Sequence, residues 1–269
     1  MGKSLKQYVA ISGSTGFVGK NLLKSLIEKK LKCIPVLSSD LQEGKQPQLS
    51  KCFCFVHLVG TGNETQDGSF EEVNVEITRK VIDICKKSKI KKIIYFSGLG
   101  VSSKSISKYF ISKFKAERLI IKSGLDYTIF RPSYIIGKDD YLTRNLKKQI
   151  QRKKIVIPGT GNYILQPISI KDTCNVVHLA INSINFSKKI IDLVGPEKIT
   201  FKQFIKNSTN NSDIEIEKIP SKKSIVYALS HKKFPYGIED LNILFGNFEG
   251  NHDKLRKISQ IEFTKIRNV

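Results

Sequence analysis

The chain has 269 residues, 40% of them hydrophobic, which is enough to bury one large α/β core and too many for wholesale disorder. Lys and Arg number 46 against 24 acids, giving a formal charge of +22 that favours anionic ligands. No run approaches the roughly 18–20 apolar residues of a membrane span. The start, Met1 to Lys6, runs into an apolar strand without a signal-peptide core or cleavage site, so the sequence reads as soluble and cytoplasmic.

Tyr8–Ile11 is a β-branched run and predicts the first strand. Gly13-Ser14-Thr15-Gly16-Phe17-Val18-Gly19 follows at once. Helical spacing then runs from Lys20 to Lys30, and Cys33–Leu37 predicts a second strand. Strand, glycine-rich turn, helix and strand in this order make one βαβ unit. Cys52–Val59 is a continuous apolar strand, suited to burial in a parallel sheet. Val73–Lys87 predicts an amphipathic helix and Ile93–Phe96 a strand. Ser107–Lys122 predicts a helix ended by Ser123-Gly124, and Asp126–Phe130 a strand closed by Arg131-Pro132. The alternation predicts a Rossmann-type, doubly wound parallel sheet.

Beyond Gly137 the rhythm loosens. A basic helix near Leu142–Lys153 leads to a strand at Ile155–Gly159. Asp172–Ser183 predicts a helix, Ile190–Val194 a strand, and Thr200 caps a short helix. The whole chain reads as a single Rossmann-like domain over 1–269. Residues after about 138 contribute a small α+β lobe on the substrate side.

The five cysteines, Cys33, Cys52, Cys54, Cys85 and Cys174, form no CxxC pair. They read as buried, reduced thiols, and no metal site is expected. The basic runs Lys86–Lys92 and Lys147–Lys154 sit at expected helix ends, with no nucleic-acid-binding motif beside them. Specific nucleic-acid recognition is not expected.

The turn Gly13–Gly19 carries the first chemistry. Gly13 permits the tight turn, Gly16 lets the backbone approach a pyrophosphate, and Gly19 lets the helix pack against the sheet. Exposed N–H groups and the helix dipole then hold the phosphates of a dinucleotide. Tyr109 and Lys113 lie four residues apart, on one helix face. A lysine ammonium and an oxidised nicotinamide would lower the phenol pKa, fitting Tyr109 for proton transfer beside a hydride donor.

Several motifs then occur in a familiar order. They are the triple-glycine turn, His57-Leu58-Val59-Gly60, Val73-Asn74-Val75-Glu76-Ile77-Thr78, Tyr109-xxx-Lys113 and Arg131-Pro132-Ser133. In this order the chain resembles the extended and atypical short-chain dehydrogenase/reductases, in the NAD(P)-binding epimerase/dehydratase branch. Within that branch it resembles the nucleotide-binding accessory subunit of respiratory complex I and its prokaryotic relatives. The resemblance spans roughly residues 7–205. It implies that Tyr109 and Lys113 are catalytic, and that Ser97 is the nearest hydroxyl to the family's substrate-polarising Ser or Thr. It further implies cofactor contacts from Gly13–Gly19, Ser38, Val59, Gly60, Lys113 and Pro132.

The chain departs from the family pattern in three places. The family's hydroxyl position falls on Gly98 or Leu99, with Ser97 one or two residues early and Ser102 or Ser103 as substitutes. At the end of the second strand, Leu37 and Ser38 stand where NAD enzymes carry an acid. That leans the cofactor to NADP over NAD, unless Asp40 folds back. Only fourteen residues, Ser38–Lys51, separate the second strand from Cys52, so one edge αβ unit is shortened or missing. His57 reads as a satisfied core histidine and Asp172 as a helix cap.

Two functions stay open. One is an NAD(P)-dependent oxidoreductase or epimerase acting on a small carbonyl, alcohol or nucleotide-sugar-like substrate. The other is a non-catalytic NAD(P)H-binding protein with a structural, assembly or redox-sensing role. Partners would be the dinucleotide, an unidentified small molecule, and either a second copy of the chain or a larger complex.

Overall fold

The computed structural model describes residues 7–41, 47–64, 68–209, 214–230 and 233–266. The first half runs β1 (Tyr8–Ser12), α1 (Phe17–Glu28), β2 (Lys32–Val36), a 3-10 turn (Ser38–Leu41) and β3 (Cys52–His57). A π-helical turn (Glu71–Glu76) then leads into α2 (Ile77–Lys87), followed by β4 (Lys92–Phe96), α3 (Lys108–Lys122) and β5 (Asp126–Pro132). The second half runs β6 (Ile135–Ile136), α4 (Tyr141–Gln151), β7 (Lys154–Pro158), β8 (Ile164–Leu165), β9 (Ile168–Ser169) and α5 (Ile170–Asn182). It continues through β10 (Lys189–Leu193), β11 (Ile199–Thr200), α6 (Phe201–Thr209), β12 (Glu215–Ile219), α7 (Ser221–Ser230), α8 (Ile238–Phe245) and α9 (His252–Ser259).

Six strands form one parallel sheet in the order β10-β5-β4-β3-β1-β2. Their apolar side chains alternate between two buried faces, which is why these strands read as continuous apolar runs. Val9, Ile11, Val56 and Ile94 meet Leu22, Leu26, Val177 and Leu255 from α1, α5 and α9. Ala10, Phe55, Ile93 and Tyr95 meet Val81, Cys85, Ala116 and Ile120 from α2 and α3. Helices therefore cover both faces, the doubly wound arrangement expected.

β3 pairs directly with β1, and β2 forms the sheet edge. Residues 42–46 lie outside the described part. The rest of the Ser38–Lys51 interval holds a 3-10 turn and no strand. The edge strand carries Lys32 and Pro35, which discourage pairing with another chain.

After β5 the chain builds a lobe and then returns. α5 and β10 rejoin the main sheet, while α4, β7, β12, α6 and α8 enclose a separate cluster of Leu142, Leu146, Ile155, Phe201, Phe204 and Leu241. Asp172 is not the cap of α5. Ser169 fills that place, accepting from the Asp172 N–H at 3.0 Å. The Asp172 carboxylate is thereby free to accept from the Thr264 N–H at 2.8 Å, pinning the segment after α9 against α5.

Candidate functional site

The implied site residues follow the carboxyl ends of five neighbouring strands. In spatial order they are Ser38 after β2, Gly13–Gly19 after β1, Val59 and Gly60 after β3, Ser97 after β4 and Pro132 ending β5. Successive parallel strands lie about 4.8 Å apart, so the line crosses roughly 19 Å of the sheet's carboxyl edge. Ligands of open α/β sheets bind along that edge.

Helix α1 begins at Phe17, three residues before the periodicity predicts, with Gly16 as its N-cap. Phe17, Val18 and Gly19 therefore form the first turn of the helix. Gly13 sits at φ +71°, and a Cβ there would come within 3.0 Å of the Leu58 and Val59 backbone. A Cβ at Gly19 would lie 2.1 Å from the Gly13 carbonyl oxygen. Gly16 differs from both. It is exposed, and a Cβ added there would meet only the Gly13 oxygen, at 3.4 Å. The α1 N-terminus has no side-chain cap and no acid in its first turn. Its positive end and an uncovered backbone thus fit a bound pyrophosphate.

Tyr109 and Lys113 share the inner face of α3, whose N-terminus is capped by Ser107. Lys113 is buried, with Nζ donating to the Phe96 carbonyl at 3.1 Å and lying 5.1 Å from the Tyr95 ring centroid. A Cβ at Gly60 would stand 2.6 Å from that Nζ, so glycine makes room for the ammonium. Burial lowers the Lys113 pKa to about 8, against a partial opposing pull from Glu117. One turn further along α3, Glu117 forms a bidentate pair with Arg131 at 2.9 and 2.7 Å, tying the helix to β5.

The Tyr109 pKa is not lowered in the chain alone. Burial, with the Glu239 carboxylate second, raises it to about 12. At neutral pH the side chain is a phenol, ready to donate a proton. The Lys113 ammonium, expected to lower it, is not among the causes, so a lowered value needs the positive charge of an oxidised nicotinamide.

Tyr109 lines a cavity of about 160 Å³ together with Ser97, Ser133, Tyr134 and Phe248. Ser97 is buried, and its Oγ makes no hydrogen bond among the described residues. Gly98 lies beneath Tyr109, so that a Cβ there would come 3.2 Å from the phenol oxygen. At the family's hydroxyl position the Tyr109 hydroxyl therefore rests on a glycine, while the neighbouring Ser97, with a buried and unpartnered hydroxyl, is part of the wall of the same cavity. Ser102 and Ser103 do not line it.

Several contributors escaped the motif reading. Asn74 is buried in the π-helical turn, where it accepts from the Thr61 N–H at 3.0 Å and donates to Ser112 Oγ at 2.9 Å. It closes the loop after β3 onto α3. Its only sequence signal was a place in the Val73–Thr78 motif. Glu239 on α8 accepts from Ser107 Oγ at 2.6 Å and so joins the lobe to the N-terminus of α3. Phe248 packs against Phe110, with ring centroids 5.2 Å apart, and covers Gly100. Both lie in the C-terminal stretch, where periodicity is weak.

His57 is fully buried, with its ring nitrogens 2.8 Å from Ser12 Oγ and 3.1 Å from Thr78 Oγ1. Burial, then the Lys113 charge, lowers its pKa to about 3, so it stays neutral and structural. Asp40 does fold back, its carboxylate accepting from the Leu37 N–H at 2.8 Å at the end of β2. Among the described residues there is no group of three or more potential metal ligands, and no helix is long and apolar enough to cross a membrane.

An NAD(P)H-binding family model matches residues 52–158. The mitochondrial NADH dehydrogenase (ubiquinone) 1 alpha subcomplex subunit 9 of Dictyostelium discoideum is 22% identical, covering 72% of this chain and 61% of that protein. Its Arabidopsis thaliana counterpart is 26% identical, over 71% and 54%. The chain thus spans little more than half the length of these relatives. A solved nucleoside-diphosphate-sugar epimerase from Staphylococcus aureus shares the fold with a TM-score of 0.74 at 15% identity, covering 97% of this chain and 98% of that one. An NADPH-dependent quinone oxidoreductase of Escherichia coli, complexed with NADPH, gives 0.73 at 16% over 96% and 97%. The chain therefore matches an NAD(P)H-binding family model over residues 52–158, is similar in sequence to subunit 9 of the NADH dehydrogenase alpha subcomplex, and shares its Rossmann-like fold with the solved epimerase and oxidoreductase.

Proposed function

We propose that the chain is an NAD(P)H-dependent oxidoreductase that reduces a small carbonyl compound or oxidises the matching alcohol. The observation that carries this reading is the cavity lined by both Tyr109 and Ser97, whose buried Oγ has no hydrogen-bond partner among the described residues, at the carboxyl ends of β4 and β5. When bound, the nicotinamide exchanges a hydride with the substrate carbon. Ser97 donates a hydrogen bond that fixes the substrate oxygen. Tyr109, a phenol at neutral pH, gives its proton to that oxygen and regains one from solvent, completing the alcohol. Lys113, held between Gly60 and Phe96, is placed to hold the nicotinamide ribose. A cavity of about 160 Å³ suits one small ring better than a nucleotide sugar.

The NAD-versus-NADP choice turns on Asp40. Its folded-back carboxylate weakens the lean to NADP, because an acid at the end of the second strand favours an unphosphorylated ribose.

Tyr109→Phe tests the enzyme reading against a panel of small carbonyls. Turnover should fall on the order of a hundred- to ten-thousand-fold while cofactor affinity holds. Full activity in Tyr109→Phe removes Tyr109 from the mechanism. A second reading has its own support in the complex I relatives: an NAD(P)H-binding subunit without turnover. It requires tight NAD(P)H binding, no oxidation above the uncatalysed rate by any panel member, and no effect of Tyr109→Phe.

A further inference from the structure

Helix α4 carries Arg144 and Lys148, and Arg152 caps its C-terminus, the three spaced four residues apart. They share one face, about 6 Å of helix rise between neighbours. Lys233 stands across from them, and together they wall a groove of about 380 Å³ rimmed by Tyr141 and Phe234. The four cations are exposed, and none forms an ion pair among the described residues. Like charges four apart on a helix repel one another, and no acid lines the groove to relieve them.

The floor of the groove is built and its own polar groups are occupied. Asn145 donates to the Pro235 carbonyl at 2.6 Å. Gln149 donates to Asn145 at 3.0 Å and accepts from the Val156 N–H at 2.9 Å. These bonds hold the 234–236 segment against α4 and fix the shape of the groove. Recognition is left to the four cations and the two rings. The positive track is also bounded. Lys154, just past α4, is taken up by Glu215 and Glu217, and Tyr141 at the other end donates to Asp240. A long polyanion would need the track to continue; a volume of about 380 Å³ falls in the range of small-ligand sites.

We propose that this groove is a second anion site, separate from the dinucleotide edge, that binds a nucleoside polyphosphate. The phosphates lie along Arg144, Lys148 and Arg152, Lys233 closes over them, and the base rests against Phe234 and Tyr141. The groove shares no lining residue with the Tyr109 cavity, so the proposal stands whether or not the chain turns over a substrate.

The test is calorimetric titration of the full chain with tripolyphosphate and with ATP. The wild type is compared with Arg144→Gln/Lys148→Gln and with a control, Lys86→Gln/Lys87→Gln, which removes the same charge at the end of α2. The groove variant should lose about tenfold or more in affinity for both probes, and the control less than about twofold. ATP should bind the wild type more tightly than tripolyphosphate does. Circular dichroism checks that each variant folds, and Lys233→Gln, outside any helix, gives a second route to the same loss. Equal losses in groove variant and control would mean that net charge alone is felt, and would overturn the proposal. So would no binding of either probe, ATP no tighter than tripolyphosphate, or saturable binding only to oligonucleotides or to phosphatidylglycerol vesicles.

Discussion

Replacing Gly16 by Val and Gly19 by Ala should separate the two duties of the glycine turn. At Gly19 an added Cβ would sit 2.1 Å from the Gly13 oxygen and 2.7 Å from the Ser14 Cα, both backbone atoms, where ordinary contact begins at 3.4 Å. Helix α1 would have to retreat from the turn by about an ångström. Overpacking of that kind costs about 1–3 kcal/mol, which in a chain of this size lowers the melting temperature by roughly 2–12 °C. At Gly16 the backbone is extended, with φ −75° and ψ 173°, and the nearest atom to an added Cβ is already at contact distance. Val should therefore cost only what a poorer N-cap costs, about 1 kcal/mol or roughly 2–4 °C. Its methyl groups would occupy the space through which a pyrophosphate reaches the α1 N–H groups. Loss of even one hydrogen bond to a charged group is worth about 1.5–3 kcal/mol, or roughly ten- to a hundred-fold in affinity. Calorimetry with NADH and NADPH, beside thermal melts, reads both effects. Unchanged affinity in Gly16→Val, or a melt as damaged as that of Gly19→Ala, would refute the assignment of the turn.

Two further changes probe the edges of the site. Asp40→Asn keeps an oxygen for the Leu37 N–H and removes the charge, so the ratio of NADPH to NADH affinity should rise; an unchanged ratio places Asp40 outside cofactor choice. Glu239→Gln removes the charge that helps hold the Tyr109 pKa near 12, so that value should fall. Alcohol oxidation, which needs the phenolate, should then reach its full rate at lower pH. A phenolate absorbance titration, referenced to Tyr109→Phe, would show no displacement if Glu239 has no hold on the site.

The half of the fold that was legible is the half with long, two-sided burial. β1, β3 and β4 are apolar almost throughout because helices cover both faces, and that pattern can be read without knowing the neighbours. The two-residue strands β6, β8, β9 and β11 are too short to show a period. β12, Glu215–Ile219, looks polar because it pairs only with β7 and leaves most of its side chains in water. The candidate site divides the same way. Gly13, Gly16, Gly19, Tyr109 and Lys113 are legible because each obeys a local rule of turn geometry or helix spacing. Asn74, Glu239 and Phe248 act across more than 30 residues of chain or from the lobe, and no local pattern marks them. Ser97 is the intermediate case. Counting along the strand places it too early for the family's hydroxyl, yet Ser97 and Tyr109 line one cavity, with Tyr109 seated closely on Gly98.

Lys113 offers a test of whether its four-residue spacing from Tyr109 is more than coincidence. Its folded pKa of about 8 lies below its ordinary value of 10.5, because burial penalises the ammonium. Below about pH 8 it is charged in both the folded and the unfolded chain, and the penalty is present in full. Between about pH 8 and 10.5 the folded form has shed the proton while the unfolded form retains it, so folding stability rises with pH through that window. Above it the penalty is gone. The shift corresponds to about 3 kcal/mol at most. In Lys113→Met the rise should vanish. The variant should match or exceed the wild type at neutral pH, less whatever the bond to Phe96 and the Tyr95 ring contribute, and lose that advantage as the pH approaches 10.5. Denaturant melts of both proteins across the window measure the difference, and parallel stability curves would refute the buried-charge account. A surface lysine would show no such slope. An ammonium kept out of water at a loss of stability, beside a glycine that makes room for it, is what the proposed ribose-holding role of Lys113 would require. That holds whether the chain turns over its cofactor or only carries it, and Tyr109→Phe decides between the two.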